Sequence, residues 1–392
     1  MKLSFQNARA AIHRFATPSN TELVPIENSS GRVAAQTLKS RHNTPAFIQS
    51  SMDGFAVKYL DIADKSLPRL TISGESAAGN APITRLQKHS AMRIMTGARL
   101  PQGADTVVPL EHCSEERGFV TIHRLPKIFA NIRKPGDDFK KNRVIIKDGS
   151  EIFPDHLPLL AEYGYFEFPV YQRPDIAVLT TGSELISPGT AIASGLVVSG
   201  NNYLLQGLLK QHRIKCSIYG PVDDNADLLR SALTGIIASS ARIIITTGGT
   251  GPGKYDLIGA VFEQLAINTI FSGIAMRPGS GAKFGILADK LIFALPGPPG
   301  VVRLLFNELV LPALKKMQGL KKQLPSIIKA EAEENIVLKK GCFQLKGGIL
   351  RTDNGRLKVR PAQKYEAIDC VILLPAHRSR IRPGEQVHVH LT

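Results

Sequence analysis

The rhythm of apolar residues changes along the chain and marks out stretches of different expected structure. From residue 175 to 318, strand-length apolar runs alternate with apolar positions at helical spacing: DIAVLTTG, NNYLLQGLLKQHR, KCSIYGPV, NADLLRSALTGIIASS, ARIIITTGG, DLIGAVFEQLA, NTIFSGIAM, KLIFALPG and GVVRLLFNELVLPALKKM. That order predicts a doubly wound α/β domain on a mostly parallel sheet, with ligand sites at the carboxyl ends of the strands. Before it, Phe5, Ala8, Ile12 and Phe15 fall on one helical face, and GRVAAQTL resumes an apolar pattern, so a small helical opening segment is expected. Residues 70 to 133 carry short β-like runs separated by Gly, Pro and charge, which predicts an all-β insert. Asp53-Gly54 reads as a tight turn beside the strand-like FAVKYL, and PDHLPLLAEYG as a short helix closed by glycine. Residues 328 to 392 return to short strands, with turns expected at Lys346-Gly347-Gly348, Asp353-Asn354-Gly355 and Arg382-Pro383-Gly384.

Within the α/β stretch, IIITTGGTGPGKYD (Ile243 to Asp256) runs a strand into a glycine-rich loop ahead of an apolar helical pattern. Glycines at 248, 249, 251 and 253 let several N–H groups converge on one anion near a helix N-terminus. A nucleotide-binding P-loop needs Ser or Thr after the lysine, and Tyr255 with Pro252 counts against it. Asp256 can cap the following helix or coordinate a cation, and a plain strand-to-helix turn with an Asp cap remains the alternative. Two further loops, TTGSEL with Glu184 and ALPGPPG at 294 to 300, should meet this one in a single crevice. NIRKPGDD offers adjacent carboxylates that suit either a solvated turn or Mg2+.

At 392 residues the chain exceeds what one core usually serves, so two to four domains are expected. The formal charge of +16 calls for an acidic partner. The basic residues are dispersed and not interleaved with aromatics, which favours an anionic small molecule over nucleic acid. The last 73 residues carry 14 Lys and Arg against seven acids, a balance that suits a solvated basic face. Cys113, Cys216, Cys342 and Cys370 are far apart, with no C-x-x-C, so reduced structural thiols are expected in place of a zinc or disulfide framework. No apolar run reaches membrane-spanning length and the first residues lack a long apolar signal segment, which reads as a cytoplasmic protein. Nothing suggests a Ser-His-Asp site.

SSMDGFAV, IMTGARLPQGADTVV, NIRKPGDD, RPDIAVLTTGSEL and LPGPPG occur in an order and spacing that resembles the molybdenum insertase family, the MoeA proteins and the E-domain of gephyrin. The resemblance covers nearly the whole chain. It implies a multidomain α/β protein: domain I at 1–45 plus 139–174, a β insert at 46–138, a MogA-like α/β domain at 175–318 and a small β domain at 319–392. It further implies a homodimer with a shared cleft, and insertion of molybdate into adenylylated molybdopterin with release of AMP in the presence of Mg2+. MogA-type proteins and molybdoenzymes are the macromolecular partners it suggests.

Matched residue by residue, the resemblance carries over catalytic acids as Asp53, Asp138, Glu184, Asp224 and Asp256, with Asp256 and Glu184 as metal ligands. Cofactor-binding positions are Thr96, Thr181, Gly182, Gly248, Gly249, Thr250, Arg277, Pro296, Gly297 and Pro299. Asp53, Thr96 and Asp138 are expected to approach from a partner subunit. Departures from the family pattern are Ser183 for Asp, Gly251 for Ser, Lys254 for an acid, and Pro298 for Asn. Gly273 lacks a cation where the family carries one, although Arg277 keeps one and Lys283 is near in sequence. Leu345 and Glu366 replace phosphate-binding positions in the last domain. The intact acids favour a molybdenum-inserting enzyme, whereas the altered loops leave open a catalytically silent paralogue acting as a pterin carrier or scaffold. Adenylylation of the pterin, as in MogA-like domains, fits less well because of the added N- and C-terminal segments.

Overall fold

The computed structural model describes residues 2–77, 79, 85–191, 193–251 and 256–392. The chain divides into two compact units, one formed by residues 1–36, 148–153 and 167–392, the other by 37–147 and 154–166.

In the first unit, helix α1 (Phe5–Phe15) opens the chain, its Ser4 side chain accepting from the Asn7 N–H. The helix does not extend into GRVAAQTL as expected. Val33 and Ala34 form bridges with Glu151 and Val170 instead, because strand partners there satisfy the backbone groups that a helix would satisfy internally.

The α/β module follows: β1 (Ile176–Thr181), α2 (Asn201–Gln211), β2 (Cys216–Val222), α3 (Ala226–Ile237), β3 (Ile243–Thr247), α4 (Leu257–Gln264), β4 (Asn268–Phe271), β5 (Lys283–Leu287), β6 (Lys290–Leu295) and α5 (Pro299–Leu305). The sheet order is β2-β1-β3-β6-β5-β4. β2, β1, β3 and β6 are parallel, whereas β5 and β4 form an antiparallel arm. Strand pleating separates the side chains into two layers. Ile176, Val178, Ile243, Ile245 and Phe293 pack on the side of α1 and α2, while Ala177, Leu179, Ile244, Ile292 and Ala294 pack against α3 and α4. The β5–β6 hairpin turns through Ala288 at φ 51°, a residue type that gives no turn signal, so KFGIL was not legible as a strand. The run NTIFSGIAM is split between two sheets, for Met276–Arg277 pairs with Phe343 and Gln344.

After α5 the helical path continues through a π-helical segment, Phe306–Val310, into Leu311–Met317. The chain ends in a closed five-stranded barrel of β7 (Ile327–Ala332), β8 (Phe343–Asp353), β9 (Arg356–Pro361), β10 (Cys370–Leu374) and β11 (Gln386–Leu391). The pairings run β8-β9-β7-β11-β10 and back to β8. Asp353-Asn354-Gly355 is the β8–β9 hairpin, with Asn354 and Gly355 both at positive φ. The turn expected at Lys346-Gly347-Gly348 is absent. These residues lie inside β8, opposite Ile372, Val371 and Cys370.

The second unit holds a six-stranded sheet in the order Thr106–Pro109, Gly54–Val57, Ser90–Ile94, Arg69–Ser76, Phe119–Ile122, Cys113–Glu116. Phe55, Val57, Leu70, Val108, Val120 and Ile122 form its core. Gly54 is the first residue of a strand between two others, not half of a two-residue turn, and FAVKYL gives way to a single 3-10 turn at Tyr59–Asp61. The short helix Leu157–Glu162 ends as expected near Gly164, at φ 70°. Among the described residues no helix is long and apolar enough to cross a membrane.

Candidate active site

The parallel register sets Thr180 opposite Thr247 and Thr247 opposite Leu295, so the loops after β1, β3 and β6 leave the sheet side by side. Gly248 N–H donates to Leu295 O at 3.1 Å. Gly248 has φ 98°, and a Cβ there would stand 2.2 Å from Thr181 O, so any side chain would force the first two loops apart. A Cβ on Gly297 would stand 4.0 Å from the Gly248 Cα. Thr181, Gly182, Gly248, Gly249, Pro296, Gly297 and Pro299 are thereby gathered at one edge of the sheet. Asn201, at the start of α2, joins two of the loops. Its Nδ2 donates to Gly297 O at 2.7 Å and to Thr247 Oγ1 at 3.3 Å. Its Oδ1 is buried without a partner among the described residues.

The β2 end adds the acid Asp224. Gly182 N–H donates to Val222 O at 3.0 Å, which ties the β1 loop to the end of β2. Thr181 Oγ1–H donates to Asp224 Oδ1 at 2.8 Å, and Asp224 N–H donates to Ser183 Oγ at 2.9 Å. Ser183 therefore supplies an acceptor where the family pattern has Asp. Glu184 is exposed, and its carboxylate folds back toward Gly182, 2.8 Å from where a Cβ on that glycine would be.

Asp256 is the N-cap of α4. Its Oδ1 accepts from Gly259 N–H at 2.9 Å, and its Oδ2 pairs with Lys283 Nζ at 2.7 Å. Lys283, the first residue of β5, is only 7% exposed. The approach of Thr250 to this strand requires Gly281, where a Cβ would lie 3.0 Å from Thr250 O. Arg277 is exposed on the short strand that pairs with β8. Pro252, Gly253, Lys254 and Tyr255 lie outside the described residues.

This arrangement does not fit Asp256 and Glu184 as a preassembled magnesium pair. Both oxygens of Asp256 are engaged, one by an ammonium whose charge repels a second cation, and Glu184 has turned toward its own loop. Among the described residues no group of three or more His, Cys, Asp or Glu is placed to hold a metal ion.

Asp53, Thr96 and Asp138 belong to the second unit. Asp53 Oδ1 accepts from Thr96 N–H at 2.6 Å and from Thr96 Oγ1–H at 2.8 Å. The Thr96 backbone bond, then its hydroxyl, holds the Asp53 carboxyl below the usual carboxylate range. Asp138 forms an ion pair with Arg133, and the neighbouring Asp137 accepts from Lys134 N–H at 2.7 Å. Sequence reasoning missed Asn201, whose SGNN context carries no signal for a cross-loop bond, and it gave Lys283 no partner.

A family model described as the MoeA N-terminal region (domain I and II) matches residues 3–164. A second, described as the probable molybdopterin binding domain, matches residues 177–316 and so contains the whole loop crevice. A protein of Haemophilus influenzae named molybdopterin molybdenumtransferase is 32% identical, over 99% of this chain and 98% of its own length. One from Staphylococcus aureus with the same name is 28% identical over 94% of this chain and 90% of its own. The crystal structure of a molybdopterin biosynthesis MoeA protein from Pyrococcus horikoshii matches with a TM-score of 0.88 at 26% identity, covering 100% of this chain and 99% of that one. With relatives aligned from end to end and the matched pterin-binding region coinciding with the convergent loops, the chain belongs to the MoeA family of molybdopterin molybdenumtransferases.

Proposed function

We propose that the protein inserts molybdenum into molybdopterin: adenylylated molybdopterin and molybdate enter the crevice, and molybdenum-loaded cofactor and AMP leave. The observation that carries this reading is the meeting of the Thr181, Gly248 and Gly297 loops at the carboxyl edge of the sheet, inside the region matched as molybdopterin-binding. Backbone N–H groups in the Gly249–Gly251 turn suit an anionic phosphate or oxyanion. Asp224, oriented by Thr181 and Ser183, is an acceptor held in place for water or a hydroxyl group. Asp256 and Lys283 place one fixed negative and one fixed positive charge beside that turn.

Among the described residues, no feature of the crevice favours a silent carrier. Asp224 and Asp256 are held by specific hydrogen bonds, and the Ser183 replacement still holds Asp224. The four-domain division at 1–45 plus 139–174, 46–138, 175–318 and 319–392 belongs to the same proposal. So does a homodimer in which Asp53, Thr96 and Asp138 of the partner subunit complete the cleft. MogA-type proteins upstream and molybdoenzymes downstream would be its macromolecular partners.

Reconstitution tests the reading. Purified protein with adenylylated molybdopterin and molybdate is expected to yield both AMP and cofactor that activates an apo-molybdoenzyme. Pterin binding with neither product would establish the carrier reading instead. Mass measurement in solution checks the dimer.

A further inference from the structure

Lys283 is a buried lysine, and taking an ammonium out of water is tolerated only where a carboxylate or acceptors replace the lost hydration. Its Nζ has one partner among the described residues, the Asp256 Oδ2 at 2.7 Å. The pair is built by the fold and does not depend on a mobile surface side chain. β5 is held in the sheet by β6, with Lys283 opposite Ala294. Asp256 is fixed as the cap of α4. Gly281 allows the Thr250 turn to close down beside Lys283.

A divalent cation bound to Asp256 would have to displace this ammonium or sit next to it. Two positive charges a few ångströms apart in a part-buried site repel strongly, because little solvent lies between them to screen the interaction. We propose that Lys283 is the resident cation of Asp256: a covalently attached ammonium occupies the place beside this carboxylate that a divalent metal would require, and orients Asp256 at the loop. Lys283 is thus a positioning residue. Its remaining N–H donors, with no further acceptor among the described residues, suit an oxyanion. The crevice then carries its positive charge in the chain itself at this point.

The inference rests on the proposed function only for naming the reaction that the pair serves, and its test requires no turnover. Mn2+ is the probe, followed by electron paramagnetic resonance on the full chain. The wild type is expected to show no tight Mn2+ site at Asp256. Lys283→Met, which keeps the apolar stem and removes the charge, should bind one Mn2+ per chain at least about tenfold more tightly than the wild type. The double variant Lys283→Met with Asp256→Asn should lose that site. Lys283→Arg, which restores a cation, should return to wild-type behaviour and controls for folding. A tight wild-type Mn2+ site abolished by Asp256→Asn would overturn the proposal. So would a Lys283→Met variant, folded by thermal melt, that gains no Mn2+ site. Failure of the reconstitution assay alongside the expected Mn2+ results would sink the insertase reading and leave the resident-cation assignment standing.

Discussion

Asn201 and Gly297 stand 96 residues apart in the chain and are joined by a hydrogen bond of 2.7 Å from the side-chain amide to the backbone carbonyl. This bond fixes the start of α2 against the loop that follows β6. With the bond to Thr247, one side chain spans two of the three loops of the crevice. Asn201→Ala should lower stability by about 1–2 kcal/mol, as expected for losing a part-buried hydrogen bond. It should also weaken pterin binding, because the Gly297 loop loses its tether. Denaturant unfolding and fluorescence titration with molybdopterin check the two effects separately.

Asp256 holds a structural place as well as a chemical one. Asp256→Ala tests both the helix cap that the sequence already offered and the ion pair with Lys283 that it did not. In the structure that change removes a helix cap, worth about 1 kcal/mol, and strips a buried lysine of its counter-charge. Asp256→Ala should therefore melt well below the wild type. Asp256→Asn, which keeps an acceptor for Gly259 N–H, should fall between the two. Calorimetry of both variants checks the order, and equal melting temperatures for Asp256→Ala and wild type would refute it.

Thr96 sets the ionisation of Asp53 through two bonds to one carboxylate oxygen. Because the folded carboxyl titrates below its unfolded value of about 3.9, its contribution to stability is present above that value and lost as the pH falls through the folded pKa. Thr96→Val keeps the backbone donor and removes the hydroxyl. The Asp53 pKa should rise part of the way toward the ordinary range, measured by the pH dependence of its carboxyl carbon shift in NMR.

Glu308 and His390 form a buried pair between the π-helical segment and the last barrel strand. His390 Nδ1 lies 2.8 and 2.9 Å from the two carboxylate oxygens, and Arg9 approaches the same carboxylate at 3.7 Å. Glu308→Ala leaves His390 Nδ1 and the Arg9 guanidinium without this acceptor and should cost about 3–5 kcal/mol. Glu308→Gln, which can still accept from His390, should cost less. Guanidinium unfolding curves of the two variants test the difference, and a Glu308→Ala midpoint equal to the wild type would exclude the pairing.

Periodicity alone made the α/β module legible, because strands buried on both faces and amphipathic helices write their burial directly into the apolar pattern. The glycines of the β3 loop and the Asp cap could likewise be read locally, since both follow from backbone geometry over a few residues. GRVAAQTL and Lys346-Gly347-Gly348 were misread for the opposite reason. Their conformations are set by Glu151, Val170 and the β10 strand, partners remote in sequence. The same holds for the site. Sequence placed Asp224, Asp256 and the three loops in one module, but which side chains hold them was decided by the tertiary structure. Asn201 reaches Gly297, Thr181 reaches Asp224 and Lys283 reaches Asp256 only after the sheet has brought distant strand ends together. Hydrogen bonds and ion pairs act over about 3 Å, a distance the chain order does not encode.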